Sequence, residues 1–345
     1  MKKRNDEKPE DRNIRKKKRR KTLLVLLGLV VIWGLINLCI TLIFSGMIPH
    51  RYASAEEGRD IMLSNTEYYD NMTQNDIEFR MQKSGATKEE FLKASEESVS
   101  SFAFFEKWYL NSRLARMALH CKLKGYDLPD VEEIVFIKAD MQMESGASGY
   151  THGTQIYLND GLVTIYALMN VVPGFSEFMD ELLYHELFHC LTRSNPQFRA
   201  DMYSLIHFTV TDTEYELPPC VLERYISNPD VEHHNSYATF MIDGEPVDCY
   251  TAYITTKSYA EAGSGFMSND ATALVPVDGT DVYYTREQAS NFDEIFGTNT
   301  AYVTDPEECM ADNFAYAMLY GIKGKDGKGY PNPEIISGII EYLKR

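Results

Sequence analysis

The sequence predicts an α+β fold: a small mixed sheet over one ligand-bearing helix, a helical second half, and a single apolar helix ahead of both. Three observations carry this. Residues 176–193, SEFMDELLYHELFHCLTR, combine an apolar helical stripe with two histidines four apart. Short β-prone runs precede that segment. Far downstream, Asp305-Pro306 marks a helix start, with Glu308 and Asp312 four apart just inside it.

Residues 1–21 hold 12 Lys/Arg against 4 Asp/Glu, a balance of +8, whereas the rest of the chain holds 22 basic and 47 acidic residues, −25. Thr22 to His50 contains no Asp, Glu, Lys or Arg, and Thr22–Phe44 is almost wholly apolar. A bilayer core needs about 20 such residues in a helix. Basic residues flank only the N-terminal end, so the positive-inside rule leaves 1–21 in the cytoplasm and sends the large domain across. The expectation is a single-pass plasma-membrane protein anchored through residues 22–44. A cleaved signal peptide is the competing reading, with Ala53-Ser54-Ala55 as a small-residue site; the length of the run favours the anchor. Beside such a segment the basic tail suits anionic lipid headgroups, and no nucleic-acid partner is expected.

Cys121, Cys190, Cys220, Cys249 and Cys309 follow at wide intervals without a C-x-x-C pair. That is neither a disulfide framework nor a structural zinc pattern, and it fits a bacterial cell surface better than a stapled secreted module.

Residues 45–86 are polar and mixed, and read as a stalk or linker before a domain at 87–345. Thr87-x-x-Glu90 is a capping box opening a helical stretch that runs to Lys124. Glu133–Lys138 reads as a buried strand. The glycine-rich loop 144–153 lacks a G-K-[ST] ending, which excludes a phosphate loop. It leads into a strand at 154–158. Lying just before the ligand helix, this strand is a candidate sheet edge for an extended peptide, with Gln155, Ile156 and Tyr157 as substrate-binding residues. A plain structural strand is the alternative. Pro196–His207 reads as a further helix, 208–300 as an irregular, partly β insertion, and Ile335–Leu343 as a closing amphipathic helix.

The chemistry lies in His185-Glu186-Leu187-Phe188-His189. Four-residue spacing puts both imidazoles on one helix face, where they can grip one cation. Glu186 falls beside that position, where a carboxylate can take a proton from an attacking water. Met179, Leu183, Leu187, Cys190 and Leu191 form the apolar back of the helix. Two histidines leave a tetrahedral zinc one protein ligand short. Asn195 and Thr192 stand where an H-E-x-x-H-x-x-G-x-x-H extension needs histidine and glycine, so that version is excluded. Glu308 is the better third ligand, with Asp312 orienting a ligand histidine through its free ring N–H. Against this, Asp305-x-x-Glu308 also suits a capping box in which Glu308 turns back to the backbone.

The pair H-E-L-F-H (185–189) and E-x-x-A-D-x-F (308–314) resembles the gluzincin branch of zinc metallopeptidases. Its pattern is similar to that of toxin-type members such as the lethal-factor catalytic domain and the Pro-Pro endopeptidases. It is also similar to a set of uncharacterised bacterial proteins sharing HELFH-x-x-x-R-x-N-P. The resemblance spans roughly residues 130–321. It implies a zincin-like fold, zinc held by His185, His189 and Glu308, Glu186 as general base, and a tyrosine, nearest Tyr302, steadying the oxyanion. His233 or His234 are further candidates for that last role. The expected function is a membrane-anchored zinc endopeptidase facing outward, acting on a peptide or protein substrate. The alternative is a non-catalytic zincin-like surface protein that binds peptides or a partner. Glu177, Asp180 and Glu181 in the ligand helix exclude an intramembrane site.

Overall fold

The described residues open on helix α1 (Pro9–Phe44), in which residues 9–21 and the apolar run form one continuous element. The computed structural model describes residues 9–345 except 171, 173 and 265–268; the side chains of 9–16, 26, 27, 29 and 30 also lie outside the description. Among the described residues no helix is long and apolar enough to cross a membrane, and four positions of the expected anchor are those excluded side chains. Leu23, Leu24, Val31, Leu35 and Ile43 on α1 are all more than half exposed.

The stretch 45–86, expected to be a stalk, is instead built into the domain. Strand β1 (His50–Tyr52) is followed by α2 (Ala55–Ser64), α3 (Thr66–Asp70) and α4 (Gln74–Met81). Met62, Tyr69, Met72 and Ile77 are buried in one apolar cluster with Val135 and Ile137, which is why these helices pack down rather than spread. Cleavage near Ala55 would strip β1 from its sheet.

Helix α5 (Lys88–Ser98) opens on the expected Thr87–Glu90 capping box. The single helical stretch expected to Lys124 is broken by a two-residue strand, β2 (Val99–Ser100), before α6 (Phe104–Lys124). Strands β3 (Ile134–Ala139), β4 (Gly149–His152) and β5 (Gln155–Asn159) complete a mixed sheet in the order β1-β3-β5-β4, with β2 against β3. All six β3 residues are buried because both faces are covered. Ile134 and Phe136 join the main core, while Val135 and Ile137 face the cluster under α2–α4.

This order corrects the substrate edge. Strand β5 is internal, parallel to β3 and antiparallel to β4, and Ile156 and Tyr157 are fully buried. Gln155, Ile156 and Tyr157 therefore have no free edge to offer a peptide. The edge is β4, which the glycine-rich loop concealed.

After α7 (Asp160–Leu168), helix α8 (Glu177–Ser194) carries the two histidines, and α9 (Pro196–Ser204) follows. The stripe Met179, Leu183, Leu187, Cys190 and Leu191 is buried as its spacing predicts. Residues 208–300 are more regular than expected. β6 (Thr209–Val210), β7 (Ser236–Ile242), β8 (Glu245–Thr255), β9 (Asp270–Pro276) and β10 (Tyr284–Thr285) form a second, antiparallel sheet in sequential order. The short helices α10 (Pro219–Leu222), α11 (Tyr259–Ala262) and α12 (Phe292–Phe296) decorate it. Helix α13 (Pro306–Tyr320) then packs on α8, and α14 (Pro333–Tyr342) closes the chain. Cys309, Met310, Ala311 and Phe314 share one core with Leu187 and Phe188 of α8 and with Phe240 and Leu274 of the second sheet. The six cysteines are all free.

Candidate metal centre

Helices α8 and α13 bring together the residues their motifs single out. Asp305 caps α13 by accepting the Glu307 N–H at 2.8 Å, with Pro306 at the first helical position. Glu308 does not turn back to the cap. Its Oε2 lies 3.1 Å from His185 Nε2 and 3.7 Å from His189 Nε2. The three donor atoms sit within 4.8 Å of one another and all three residues are buried.

A carboxylate holds the far nitrogen of each ring. His185 Nδ1 donates to Asp312 Oδ1 at 2.9 Å, and His189 Nδ1 donates to Glu307 Oε1 at 2.9 Å. With a ring proton held at each Nδ1, Nε2 is the atom each ring can offer a cation; in the metal-free chain His185 Nε2 donates to Glu308. His189 Nε2 is fully buried and has no hydrogen-bond partner among the described residues. A buried lone pair without a donor is costly. Facing a carboxylate, it fits one occupant well, a cation. Neighbouring ligands on an ion with bonds of about 2.0–2.2 Å stand roughly 3.3–3.6 Å apart, close to the separations here.

Asp312 was legible from spacing; Glu307 was not. Glu307 accepts from His189, from Thr192 at 2.6 Å and from the Tyr203 hydroxyl at 2.5 Å. Burial opposes its ionisation, but the His189 hydrogen bond, with His189, Arg193 and Arg199 nearby, brings its pKa down to about 2. Replacing Glu307 with Gln keeps the shape and loses the charge that fixes the His189 tautomer. Metal affinity is expected to fall roughly 10–100-fold, read by competition with a chelator of known affinity.

Glu308 is likewise held down to about 2, burial being overcome by the His185 hydrogen bond and by both imidazoles. Its other oxygen accepts from Asn228 Nδ2 at 2.5 Å and from the Tyr302 hydroxyl at 2.7 Å. His185 is the counterpart: burial works against its charge, yet the bonds to Asp312 and Glu308 keep its pKa well above the usual imidazole value. Thr300 secures the second Asp312 oxygen at 2.5 Å.

Glu186 points to the first sheet. Its Oε2 accepts the Thr151 hydroxyl at 2.7 Å, and burial raises its pKa despite the opposing pull of both histidines. The approach of β4 depends on Gly149, where a Cβ would stand 2.9 Å from Glu186 Oε1 and 3.1 Å from the Tyr157 carbonyl. A cleft of about 550 Å³ opens over His185 and Glu186, walled by residues 145–150, Phe178, Leu182, Asp230 and Tyr302. The Tyr302 ring stacks over His185 at 6.1 Å and is two-fifths exposed.

Two candidates fall away. His233 pairs with Glu214 at 3.2 Å, and His234 is packed against Tyr225 and Tyr250; neither lines the cleft. In their place the preceding turn supplies Asn228 and Asp230. Its Asn-Pro-Asp sequence reads as a turn, and no local signal shows that the turn enters a site.

Together these residues define a buried H-E-x-x-H centre in which two carboxylate-oriented imidazoles and a third carboxylate converge from two helices. No protein-family model, curated protein or solved structure matches the chain.

Proposed function

We propose that the chain is a zinc-dependent endopeptidase of the zincin type, with zinc held by His185, His189 and Glu308. The observation that carries this is the partnerless, fully buried Nε2 of His189, set opposite Glu308. Two nitrogens and one carboxylate oxygen suit a catalytic zinc ion, which keeps a position open. When bound, zinc lowers the pKa of a coordinated water to about 7 and polarises a carbonyl.

The side chains divide the remaining work. Glu186 faces the cleft and takes a proton from the attacking water as the new C–O bond forms. It then returns that proton to the amide nitrogen as the C–N bond breaks. Its raised pKa suits both halves of that exchange. Tyr302, on the cleft wall, exchanges its hydroxyl bond to Glu308 for one to the developing oxyanion. A substrate lies at the Gly149 end of β4, which lines the cleft beside the base, since the Thr151 N–H further along is already bonded to Asp230.

Gly149→Ala tests that approach. The added methyl has to displace Glu186 Oε1, and a misplacement of about 1 Å can cost roughly 100-fold in rate. The expected result is a fall in kcat of that order with zinc content unchanged. Unaltered kcat argues against Glu186 acting from this position.

The uncharged run from Thr22 to His50 and the +8 tail before it support an anchor at 22–44 with the catalytic domain outside the cytoplasm. Cleavage of a peptide library by the full chain in detergent, with and without a chelator, tests the activity. Chelator-insensitive cleavage, or a chain that takes up no zinc, defeats this reading.

A further inference from the structure

Asp230 comes from the second sheet's side of the molecule and belongs to neither motif. We propose, on the reading of the centre as a peptidase, that Asp230 and Glu186 hold the attacking water between them, one hydrogen bond each, and that Thr151 aligns both carboxylates.

Thr151 touches the two acids with different groups. Its hydroxyl donates to Glu186 Oε2 at 2.7 Å and its backbone N–H donates to Asp230 Oδ1 at 2.6 Å. The ligating atoms of Glu186, His189 and Asp230 lie within 4.8 Å of one another, all buried. Asp230 Oδ1 is 3.8 Å from the partnerless His189 Nε2, almost as near as Glu308 Oε2 at 3.7 Å. A water bonded to two acceptors at about 2.7 Å each, at a tetrahedral angle, separates them by roughly 4.4 Å. The 4.8 Å limit on the pair leaves room for one such water, which has two hydrogens to give.

The turn bearing Asp230 is held from both ligand helices. Arg193 of α8 donates to the Asp230 carbonyl at 2.6 Å, and Asn228 donates to Glu308 of α13 at 2.5 Å. A structural cap for the Thr151 N–H needs only a neutral oxygen. Burial, with Glu186 and Glu308 beside it, raises the Asp230 pKa well above the ordinary carboxylate value, so its charge depends on hydrogens or positive charge meeting it there. In the reaction, the water oxygen bonds to the carbonyl carbon and one of its protons passes to Glu186. The other stays on that oxygen, bonded to Asp230, and leaves when the product carboxylic acid ionises.

The test is Asp230→Asn in the full chain, which keeps an acceptor for Thr151 and removes the charge. The expected result is a fall in kcat of about 100-fold or more, KM within about twofold, and zinc affinity by chelator competition within about threefold of the parent. A kcat within threefold of the parent overturns the proposal. So does a loss of zinc as deep as that in Glu308→Gln, which makes Asp230 a ligand instead. Should the variant fail to fold, Thr151→Val and Thr151→Ser replace it: Val is expected to lose at least about tenfold in kcat and Ser to restore it, while equal rates overturn the alignment. A parent that cleaves nothing sinks the peptidase reading itself; an active parent with a fully active Asp230→Asn sinks only this inference.

Discussion

Replacing Glu186 with Gln is expected to leave zinc in place and remove hydrolysis, lowering kcat by about 10²–10⁴-fold. The two properties separate because the base lies outside the ligand set. Glu186 is not among the atoms grouped around Glu308, and it is tied to Thr151 of the sheet. A Gln side chain keeps an acceptor for the Thr151 hydroxyl, so α8 and its histidines stay where they are. What disappears is the capacity to take a proton as the water attacks and return it to the leaving nitrogen. Metal analysis and steady-state kinetics on one preparation decide the matter. Full activity with bound zinc removes Glu186 from the mechanism, and loss of both makes it structural. A non-catalytic peptide binder gains nothing from this buried, costly acid so near two imidazoles.

The parts that local spacing specifies were legible, and those assembled by long-range pairing were not. His185, Glu186 and His189 share a helix, as do Glu308 and Asp312, so periodicity alone puts them on common faces. That the two faces meet follows from donor chemistry: two imidazoles require a third ligand, and Glu308 is the acid placed to supply it. Glu307 was hidden because an acid in the first turn of a helix already has a reason to be there, the helix dipole. Only the fold shows it accepting from His189, Thr192 and Tyr203. Asn228 and Asp230 were hidden for the opposite reason. Asn-Pro-Asp explains itself as a turn, and where a turn points depends on sheet register. The exchange of β5 for β4 as the edge is the same failure on a smaller scale. A strand's own residues do not say which of its sides is paired, and Gly149 and Gly153 disguised the four residues that form the true edge. The supposed stalk misled through its charges, although Met62, Tyr69 and Ile77 were there to be buried.

Glu308→Gln is expected to have the second large effect, on metal affinity before rate. The amide oxygen can still accept from Asn228 and Tyr302, so the helix pair survives, but the negative charge facing both Nε2 atoms is gone. The loss of affinity should exceed the roughly 10–100-fold that removing a supporting carboxylate costs. Stability gives an independent measure. An ion that binds only the folded chain at 100 times its Kd adds about 2.7 kcal/mol, so the parent's Tm should rise with zinc and the variant's should not at the same concentration. The pH dependence has a definite sign. In the metal-free chain the His185 pKa is raised above its unfolded value by Asp312 and Glu308 despite burial. The stability that this charged imidazole contributes is therefore full below about pH 6.5 and lost as pH rises through the raised value. Zinc needs the same nitrogen unprotonated, so its uptake expels that proton. Affinity should climb about tenfold per pH unit until the raised pKa is passed. Calorimetry in buffers of different ionisation enthalpy counts the proton directly. Parent uptake without proton release, or a Glu308→Gln chain that binds zinc as tightly as the parent, means that the ion sits elsewhere.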